Sequence, residues 1–479
     1  MTAPNQDLSE TDASAAARLR ERFGFLREVV AELEREVPYA SALVRQADGI
    51  RIQLRDGDQQ AGRQDPQAGV VLTVSNGAYL EEAATDRTDP DAVRQLAREL
   101  AERARSHRPR AGEPALQLAT NGVLEADFAT PMQRPPNAES LVEKLERYES
   151  LRQRLRAVDS RAVQAICTYG HNELSEVFVR RDGMVTQQLR RVVLALIVFV
   201  SDGQQRQYAY RGSGATGGLE HIEVDDADLH DLAGVAVSML SAKPVPPGTY
   251  DVVADPATAG TIAHEAFGHG VETDMFVKGR ARAADFIGRQ VGSDLVNILD
   301  DPTLAGAYGS YFVDDEGQPA APTTIIRNGV FERGLTDLYS ASRLGVARSA
   351  NGRRQSVHRK AYARMSNTYF APGTSSRQEV LESLDDGLLL CDALNGMEDP
   401  KGWGIQIWAH HAREYRGGRP TGIIYAPVAI TGYVPDVLRD VTMVSDELAM
   451  SPGTCGKGWK ELVPVSSGGP YLRTRCRLG

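Results

Sequence analysis

The sequence predicts an α+β protein, with an N-terminal α/β region that contains antiparallel strands and a β-rich C-terminal domain that carries a metal-binding helix. Two observations predict this class. Helical and strand-like periodicities alternate as far as about residue 243, and strand-like runs then surround one helical segment that contains two histidines. The chain has 479 residues, of which 42% are hydrophobic, so it can fill the cores of two or three domains.

Residues 1–107 are predicted to form an α/β segment. Apolar residues at helical spacing predict a first helix over 13–36, and Asp89 is placed to cap a second helix over 90–107. Short strands are expected between the two helices, at 41–46, 49–55 and 69–74. A Pro-rich stretch without a clear period, 108–136, follows and is predicted to be a linker.

Residues 137–243 are predicted to form an antiparallel meander flanked by two helices. Asn137 is a candidate cap for a helix that runs to about Val158, and a second helix is expected over 225–241. Strand-like runs lie between the helices, at 163–169, 173–180, 184–189, 191–201 and 204–211, with hairpin signals at Asp182-Gly183 and Asp202-Gly203. We expect this meander and residues 1–107 to form one N-terminal unit, and residues 244–479 to form the C-terminal domain.

The C-terminal domain is predicted to consist mainly of strands around the helical segment 261–274. Strand-like runs lie at 295–299, 323–327, 330–332, 387–390, 405–409 and 423–431. Residues 280–290 show no clear period and are expected to form a loop next to the site, acting either as a lid or as an ordinary exposed loop. Residues 437–448 are expected to be helical in part.

The segment 261–274 has the composition of a metal site, with His264, Glu265 and His269 separated by apolar residues. In zinc-protease helices the two histidines lie four residues apart, about 40° around the axis, whereas here the spacing is five and the angle is about 140°. A shared metal therefore requires a kink or a π-bulge, which Gly268 and Gly270 would permit. The alternative is a buried helix with two ordinary histidines.

Two carboxylates, Glu272 and Asp274, follow the second histidine. Their positions allow them to hydrogen-bond the imidazoles or to serve as alternative metal ligands, and a plain helix-end role is the alternative. A third protein ligand is also needed, because catalytic zinc generally has three. Cys455 lies in a segment rich in Gly and Pro that predicts a loop, and the loop alone does not decide between a ligand and an unliganded thiol.

Three blocks of the sequence resemble the signature motifs of the TldD/PmbA family. They are His264-Glu265-Ala266-Phe267-Gly268-His269-Gly270, Arg364-Met365-Ser366-Asn367-Thr368-Tyr369 and Pro452-Gly453-Thr454-Cys455-Gly456-Lys457. Weaker similarity extends from about residue 23 to about residue 472. All of the family's metal motif is present, which places the chain on the catalytic TldD side of the family.

The resemblance implies a zinc metallopeptidase that hydrolyses amide bonds of peptides or unfolded chains. It implies that His264, His269 and Cys455 bind zinc and that Glu265 is the general base that activates water. It also implies a dimer, either a homodimer or a heterodimer with a metal-free relative from the same family.

Arg364, Asn367 and Tyr369 are candidates for holding a peptide backbone or an oxyanion, with a structural role before Pro372-Gly373 as the alternative. The segment 403–414 departs from the pattern expected of the family, which puts the family's usual substrate in question. Two further hypotheses therefore remain. The first is a zinc amidohydrolase that acts on a small-molecule or modified-peptide amide, and the second is a non-catalytic scaffold with a structural metal.

Composition limits the partners and the location. The formal charge of −10 argues against a general nucleic-acid binder. The longest apolar run, Val192–Val200, is far shorter than the ~20 residues that span a bilayer, so no membrane segment is expected. The N-terminus lacks the features of a signal peptide, and the four cysteines do not suggest a disulfide framework, so we expect a cytoplasmic protein.

Overall fold

The computed structural model describes residues 16–107, 114–118, 124–458 and 461–479. Within these ranges the strands form one large sheet between residues 39 and 216 and further sheets between residues 248 and 478. Helices cover the first sheet, and one helix lies within the strands of the second region. This arrangement confirms the predicted α+β class. The proposed domain boundary near residue 243 stays a prediction.

The N-terminal sheet has eight strands in the order β4-β3-β1-β6-β7-β5, with β2 paired to β1 and β8 paired to β7. All of its pairings are antiparallel except that of β5 with β7. The strands are β1 (Tyr39–Arg55), β2 (Asp58–Arg63), β3 (Gln67–Ser75), β4 (Leu80–Thr85), β5 (Ala126–Ala129), β6 (Ala162–Arg180), β7 (Gly183–Ser201) and β8 (Arg206–Thr216).

Helices pack on this sheet over two hydrophobic cores. The first core lies under three helices, α1 (16–22), α2 (Leu26–Leu33) and α3 (Pro90–Ser106). The second lies under α4 (Leu141–Ala157) and α5 (Asp226–Ser238). As predicted, Asp89 caps α3, and its side chain accepts a hydrogen bond from the Ala92 amide.

Several N-terminal predictions need correction. The helix predicted over 13–36 is interrupted by a turn at 23–25, and residues 13–15 lie outside the described residues. The strands predicted at 41–46 and 49–55 form one strand, because β6 pairs with β1 continuously across the intervening residues. The predicted linker contains β5, while its residues 108–113 and 119–123 lie outside the described ranges.

The meander is confirmed, including both hairpins, but its strands are longer than predicted. The five predicted strands merge into β6, β7 and β8, since each ladder continues through the polar residues that had indicated breaks. The cap of α4 is Ser140 rather than Asn137, and Ser140 forms a reciprocal capping box with Glu143.

The C-terminal region contains two larger sheets and one two-stranded pair. The first sheet has the order β12-β11-β10-β15-β22-β21, and the second has the order β16-β9-β23-β19-β17-β18, with β20 paired to β23 and an additional pairing of β16 with β17. The strands are β9 (Gly248–Ala254), β10 (Ile298–Asp300), β11 (Thr323–Arg327), β12 (Val330–Phe331), β13 (Gly352–Arg353), β14 (Tyr362–Ala363), β15 (Asn367–Phe370), β16 (Asp386–Asp399), β17 (Gly404–Arg416), β18 (Arg419–Tyr425), β19 (Val428–Tyr433), β20 (Met443–Val444), β21 (Ala449–Lys457), β22 (Glu461–Gly469) and β23 (Leu472–Leu478).

The helix that carries the histidine motif, α6 (Pro256–Phe267), packs against β22 and β15 of one sheet and β16 of the other. Its contact with β22 is close, because a Cβ atom on Gly260 would lie 2.3 Å from the amide nitrogen of Gly468. The site is therefore held between two sheets. The remaining helices are α7 (Asp274–Val277), α8 (Leu338–Leu344), α9 (Arg377–Glu382) and α10 (Val434–Arg439).

The C-terminal predictions hold for most strands and fail at some boundaries. The loop at 280–290 contains a short 3-10 turn, Arg282–Phe286. The helix expected within 437–448 begins earlier and ends at Arg439. None of the helices in the described ranges combines the length and the apolar composition needed to cross a bilayer.

Candidate metal centre

The two histidines of the motif are brought together where α6 ends. His264 lies in the last turn of the helix, Gly268 caps it, and His269 begins a 3-10 turn. The distortion predicted from the five-residue spacing is thus the end of the α-helix rather than a π-bulge. A side chain is not tolerated at Gly268, because a Cβ there would lie 1.8 Å from the sulfur of Met365. The ring centroids of the two histidines lie 5.1 Å apart.

Cys455 completes the cluster from β21. Its Sγ lies 3.2 Å from Nε2 of His269, and the donor atoms of His264, His269 and Cys455 all lie within 4.8 Å of one another. The predicted loop around Cys455 is wrong, because this residue lies in a strand paired with β22. β21 is at the edge of its sheet, where Pro452 and the neighbouring glycines are tolerated.

The donor set fits zinc, which binds histidine nitrogen and cysteine thiolate. Cys455 is only 2% exposed. Burial alone would raise the pKa of its thiol, but the imidazoles of His269 and His264 hold that pKa well below its usual value. The thiolate, which is the form that binds metal, is thus favoured at this position.

Glu272 contacts the imidazole nitrogen of His269 that faces away from Cys455. Its Oε2 lies 3.4 Å from Nδ1 of His269 and 3.0 Å from Nζ of Lys457, and its Oε1 lies 3.4 Å from Nε of Arg364. Burial opposes ionisation of Glu272, but these cationic neighbours hold the pKa of its carboxyl well below the usual range. Asp274 forms ion pairs with Lys457 and Lys278, so its carboxylate is engaged by two ammonium groups.

The three residues predicted on the substrate side lie elsewhere. Arg364 is buried and donates hydrogen bonds to Cys455, so it contacts a proposed ligand. Asn367 is also buried and donates to the carbonyl of Asp301 and the hydroxyl of Ser310. Neither these two residues nor Tyr369 belongs to the lining of the cleft in the described part of the chain.

The cluster lies in a cleft of about 1060 Å³. Glu265 and Lys457 also line it, and its walls include residues of β8, β16 and β21. Glu265 packs closely on β16, since a Cβ on Gly396 would lie 2.5 Å from Cγ of Glu265. Glu398, two residues further along β16, also lines the cleft, and burial raises the pKa of its carboxyl to about 8.

Comparison with known proteins identifies the family. Residues 247–476 match the model of the PmbA/TldA metallopeptidase C-terminal domain. A protein of Methanothermobacter thermautotrophicus named as a metalloprotease is 30% identical over 454 residues, which are 94% of this chain and 97% of that protein. The chain belongs to the TldD/PmbA family. It is a metallopeptidase, and hence a hydrolase.

Other TldD/PmbA relatives agree with this assignment. The TldD homologue of Haemophilus influenzae, also named as a metalloprotease, is 27% identical, with 92% of each chain covered. A Saccharolobus solfataricus protein named as a zinc metalloprotease and TldD homologue is 30% identical over 52% of this chain and 55% of its own length. The solved structure of TldE from Thermococcus kodakarensis has the same fold, with a TM-score of 0.70, 17% identity and coverage of 95% of this chain and 99% of TldE.

The segment that departs from the TldD/PmbA pattern, 403–414, contains His410 and His411, which form a second group of possible metal ligands with Asp392 of β16. Both histidines are buried, and their ring nitrogens already have partners. Arg413 Nε donates to Nε2 of His411 at 3.3 Å, the two Nδ1 atoms lie 3.2 Å apart, and Nε2 of His410 lies 3.0 Å from the carbonyl oxygen of Tyr208. One proton between the Nδ1 atoms satisfies this chain with both imidazoles neutral. We therefore read the pair as part of the core, and neither histidine lines the cleft.

Lys457 and Glu398 are among the cleft residues to which the sequence analysis gave no role. Lys457 could have been found, because on a strand it lies on the same face as Cys455, two residues away. It was missed because the segment was predicted to be a loop. Glu398 has no local signal, since its position depends on how β16 passes the end of α6.

Proposed function

We propose that this TldD/PmbA chain is a zinc-dependent peptidase in which His264, His269 and Cys455 hold the metal. The observation that carries the proposal is the convergence of two imidazoles and a thiol within 4.8 Å at a large cleft. The zinc in the name of the Saccharolobus relative supports the choice of metal. Bound at these residues, zinc would supply Lewis-acid chemistry that polarises the scissile carbonyl and acidifies water.

Glu265 is the proposed general base. It follows His264 directly in the chain, lines the cleft and has its side chain packed against Gly396. From this position its carboxylate takes a proton from the attacking water and then delivers that proton to the nitrogen of the leaving amine. Hydrolysis is complete when the amine leaves, and Glu265 returns to its ionised form.

The scaffold hypothesis requires a fourth protein ligand that closes the metal site. Asp274, one of the two carboxylates considered as alternative metal ligands, could serve as that ligand, but the ammonium groups of Lys457 and Lys278 engage its carboxylate. This pairing supports a catalytic rather than a structural metal.

Peptides are the proposed substrates. The cleft volume of about 1060 Å³ lies just above the range for small-molecule pockets, about 300–1,000 Å³, and the walls of the cleft come from several strands. This size favours an extended peptide over a small amide, which is the alternative substrate class. The two are distinguished by comparing kcat/KM for an unstructured peptide and for small amides.

We also propose that the chain acts in the cytoplasm as a dimer, formed with itself or with a metal-free TldD/PmbA relative. All four cysteines are free thiols, which supports a reducing compartment. The fold shared with TldE shows that members of the family that carry different names have the same architecture. A metal-free relative with this architecture is therefore a candidate partner in a heterodimer.

The test combines metal content with turnover. Purified wild-type chain should contain about one zinc per chain and hydrolyse an unstructured peptide, and Ala substitutions at His264, His269 or Cys455 should remove both properties. Glu265→Gln should retain zinc and lose about 10²–10⁴-fold in kcat. His230→Ala, at an exposed histidine, is the control and should retain both. Full zinc occupancy in Cys455→Ala, or unchanged kcat in Glu265→Gln, would contradict the assigned roles.

A further inference from the structure

Glu398 is a cleft carboxylate with no hydrogen-bond partner among the residues that the structure describes. It lies on β16, on the same face as Gly396, against which Glu265 packs. Its Oε1 is buried and accepts no hydrogen bond from any residue in the described ranges. This oxygen lies next to the metal-binding turn, because a Cβ on Gly270 would be 2.6 Å from it.

Three other acidic side chains that line the cleft, those of Glu272, Asp274 and Glu461, differ from Glu398 in having basic partners. Glu272 lies 3.0 Å from Lys457 and 3.4 Å from Arg364. Asp274 pairs with Lys457 and Lys278. Glu461, which also lines the cleft, lies 3.9 Å from Arg359. No such pairing involves Glu398 among the described residues, and its oxygens do not belong to the cluster of metal donors.

Removing a carboxylate from water without a compensating partner costs free energy. That cost is recovered when a bound group supplies a positive charge and hydrogen-bond donors at the buried oxygen. The opening of the cleft allows a substrate to provide such a group to Glu398, whose carboxylate forms no ion pair or hydrogen bond with the described residues.

We propose that Glu398 is a specificity residue that selects peptides presenting a cationic group close to the scissile bond. The recognised chemistry is an ammonium or a guanidinium, which is found on a lysine or arginine side chain and, as an ammonium, at a free peptide N-terminus. The inference rests on the proposed peptidase function, since it names the substrate feature that the same cleft selects.

The experiment uses the full-length zinc-loaded chain, in the assembly that hydrolyses peptides, and a set of flexible peptides of alanine, serine and glycine. A single lysine is moved through the positions of the peptide and compared with norleucine, which has a similar chain length and no charge. Each peptide is made with a free and with an acetylated N-terminus. Cleavage positions and kcat/KM are measured by mass spectrometry and chromatography.

If the cation is a side chain, wild type should cleave a lysine peptide faster than the matching norleucine peptide when the substituted position lies beside the cleaved bond. If the cation is the terminal ammonium, wild type should cleave peptides with a free N-terminus faster than acetylated ones. Either preference identifies the source of the cation. Glu398→Gln should lower kcat/KM for the preferred peptides by about 10- to 100-fold and change the neutral peptides little. Glu461→Gln removes a cleft carboxylate that has its own cation, and it should retain the preference.

A second variant, Glu398→Lys, should reverse the preference toward peptides that carry glutamate at the selected position. The proposal is overturned if wild type shows neither preference, if Glu398→Gln retains it, or if Glu398→Gln slows charged and neutral peptides equally with zinc still bound. Absence of hydrolysis of every peptide by zinc-loaded wild type would instead overturn the proposed function itself.

Discussion

The guanidinium of Arg364 donates a hydrogen bond to the sulfur of Cys455, with 3.2 Å between Nη2 and Sγ. The same nitrogen donates to the carbonyl oxygen of Cys455 at 2.9 Å, and Nε lies 3.4 Å from Glu272. One buried cation therefore contacts a proposed metal ligand and the carboxylate that supports another, His269. This arrangement favours a thiolate held in a fixed orientation before metal binds.

Arg364→Met should therefore weaken zinc binding by about 10- to 100-fold, the usual effect of removing a group that orients a metal ligand. Zinc affinity is measured by competition with a chromophoric chelator. Arg353→Met is the matched control, because Arg353 is also buried and donates to the carbonyl of Met365, with no hydrogen bond to Cys455. Equal zinc affinities in wild type and Arg364→Met would show that the contact is not needed.

Gly396→Ala should reduce kcat while zinc remains bound. The added methyl would lie 2.5 Å from Cγ of Glu265 and 2.8 Å from its Oε1, so the carboxylate must move. Misplacing a catalytic group by about 1 Å can cost about 10²-fold in rate. Gly404→Ala, in the same hairpin, is the control, since its nearest neighbour would be a carbonyl oxygen at 3.8 Å. Unchanged kcat in Gly396→Ala would show that Glu265 does not depend on this contact.

The sequence predicted the part of the site that is local in the chain. His264, Glu265 and His269 lie on one segment, so their spacing alone predicted both a metal site and an interruption of the helix. The contribution of Cys455 depends on the pairing of β21 with β22 and on the packing of both strands near α6, at a sequence separation of 186 from His269. The Gly- and Pro-rich segment made Cys455 a candidate ligand, but only the family resemblance implied that it binds the metal.

Contacts between segments that are distant in the sequence also explain the other differences between the predictions and the structure. Arg364 was a candidate for holding a peptide backbone or an oxyanion, with a structural role as the alternative, and the described structure buries it against Cys455. The merged strand β1 has a similar cause, because polar residues suggested a break that pairing with β6 overrides. Patterns within one segment do not report which segments lie opposite each other.

Two buried histidines predict acid sensitivity of the fold. Burial, followed by the nearby Lys144, lowers the pKa of His171 to about 4, and burial, followed by Arg413, lowers the pKa of His411 to about 3. In the unfolded chain both histidines titrate near 6.5. Their contribution to stability is therefore complete above pH 6.5 and is lost as the pH falls toward 4 and then 3, because the unfolded state binds protons first.

His171→Gln should accordingly reduce the loss of unfolding free energy between pH 7 and pH 4.5 by on the order of 2 kcal/mol, even if the variant is less stable at pH 7. The measurement is urea unfolding of wild type and variant at both pH values. Zinc release in acid affects both proteins alike, so the difference between them reports His171. The same pH dependence in both proteins would mean that His171 is not buried as a neutral imidazole.

The proposed dimer would cover apolar surface that lies at the cleft of the single chain. Two large apolar side chains on β16 at the cleft, Leu394 and Met397, are 40% and 62% exposed in the single chain. A partner that covers this face would remove apolar surface from water and enclose the cleft, so that extended chains could enter and folded proteins could not.

The purified chain should therefore form a dimer by light scattering, or else gain turnover of flexible peptides when the metal-free TldD/PmbA relative is added. A folded substrate should be cleaved only after denaturation, because its bonds cannot reach the enclosed metal centre. Glu265→Gln mixed with the same partner is the control, and it should form the same assembly without the gain in turnover. A monomer that is fully active alone and cleaves native folded proteins would contradict the proposal, since an enclosed site would then be unnecessary.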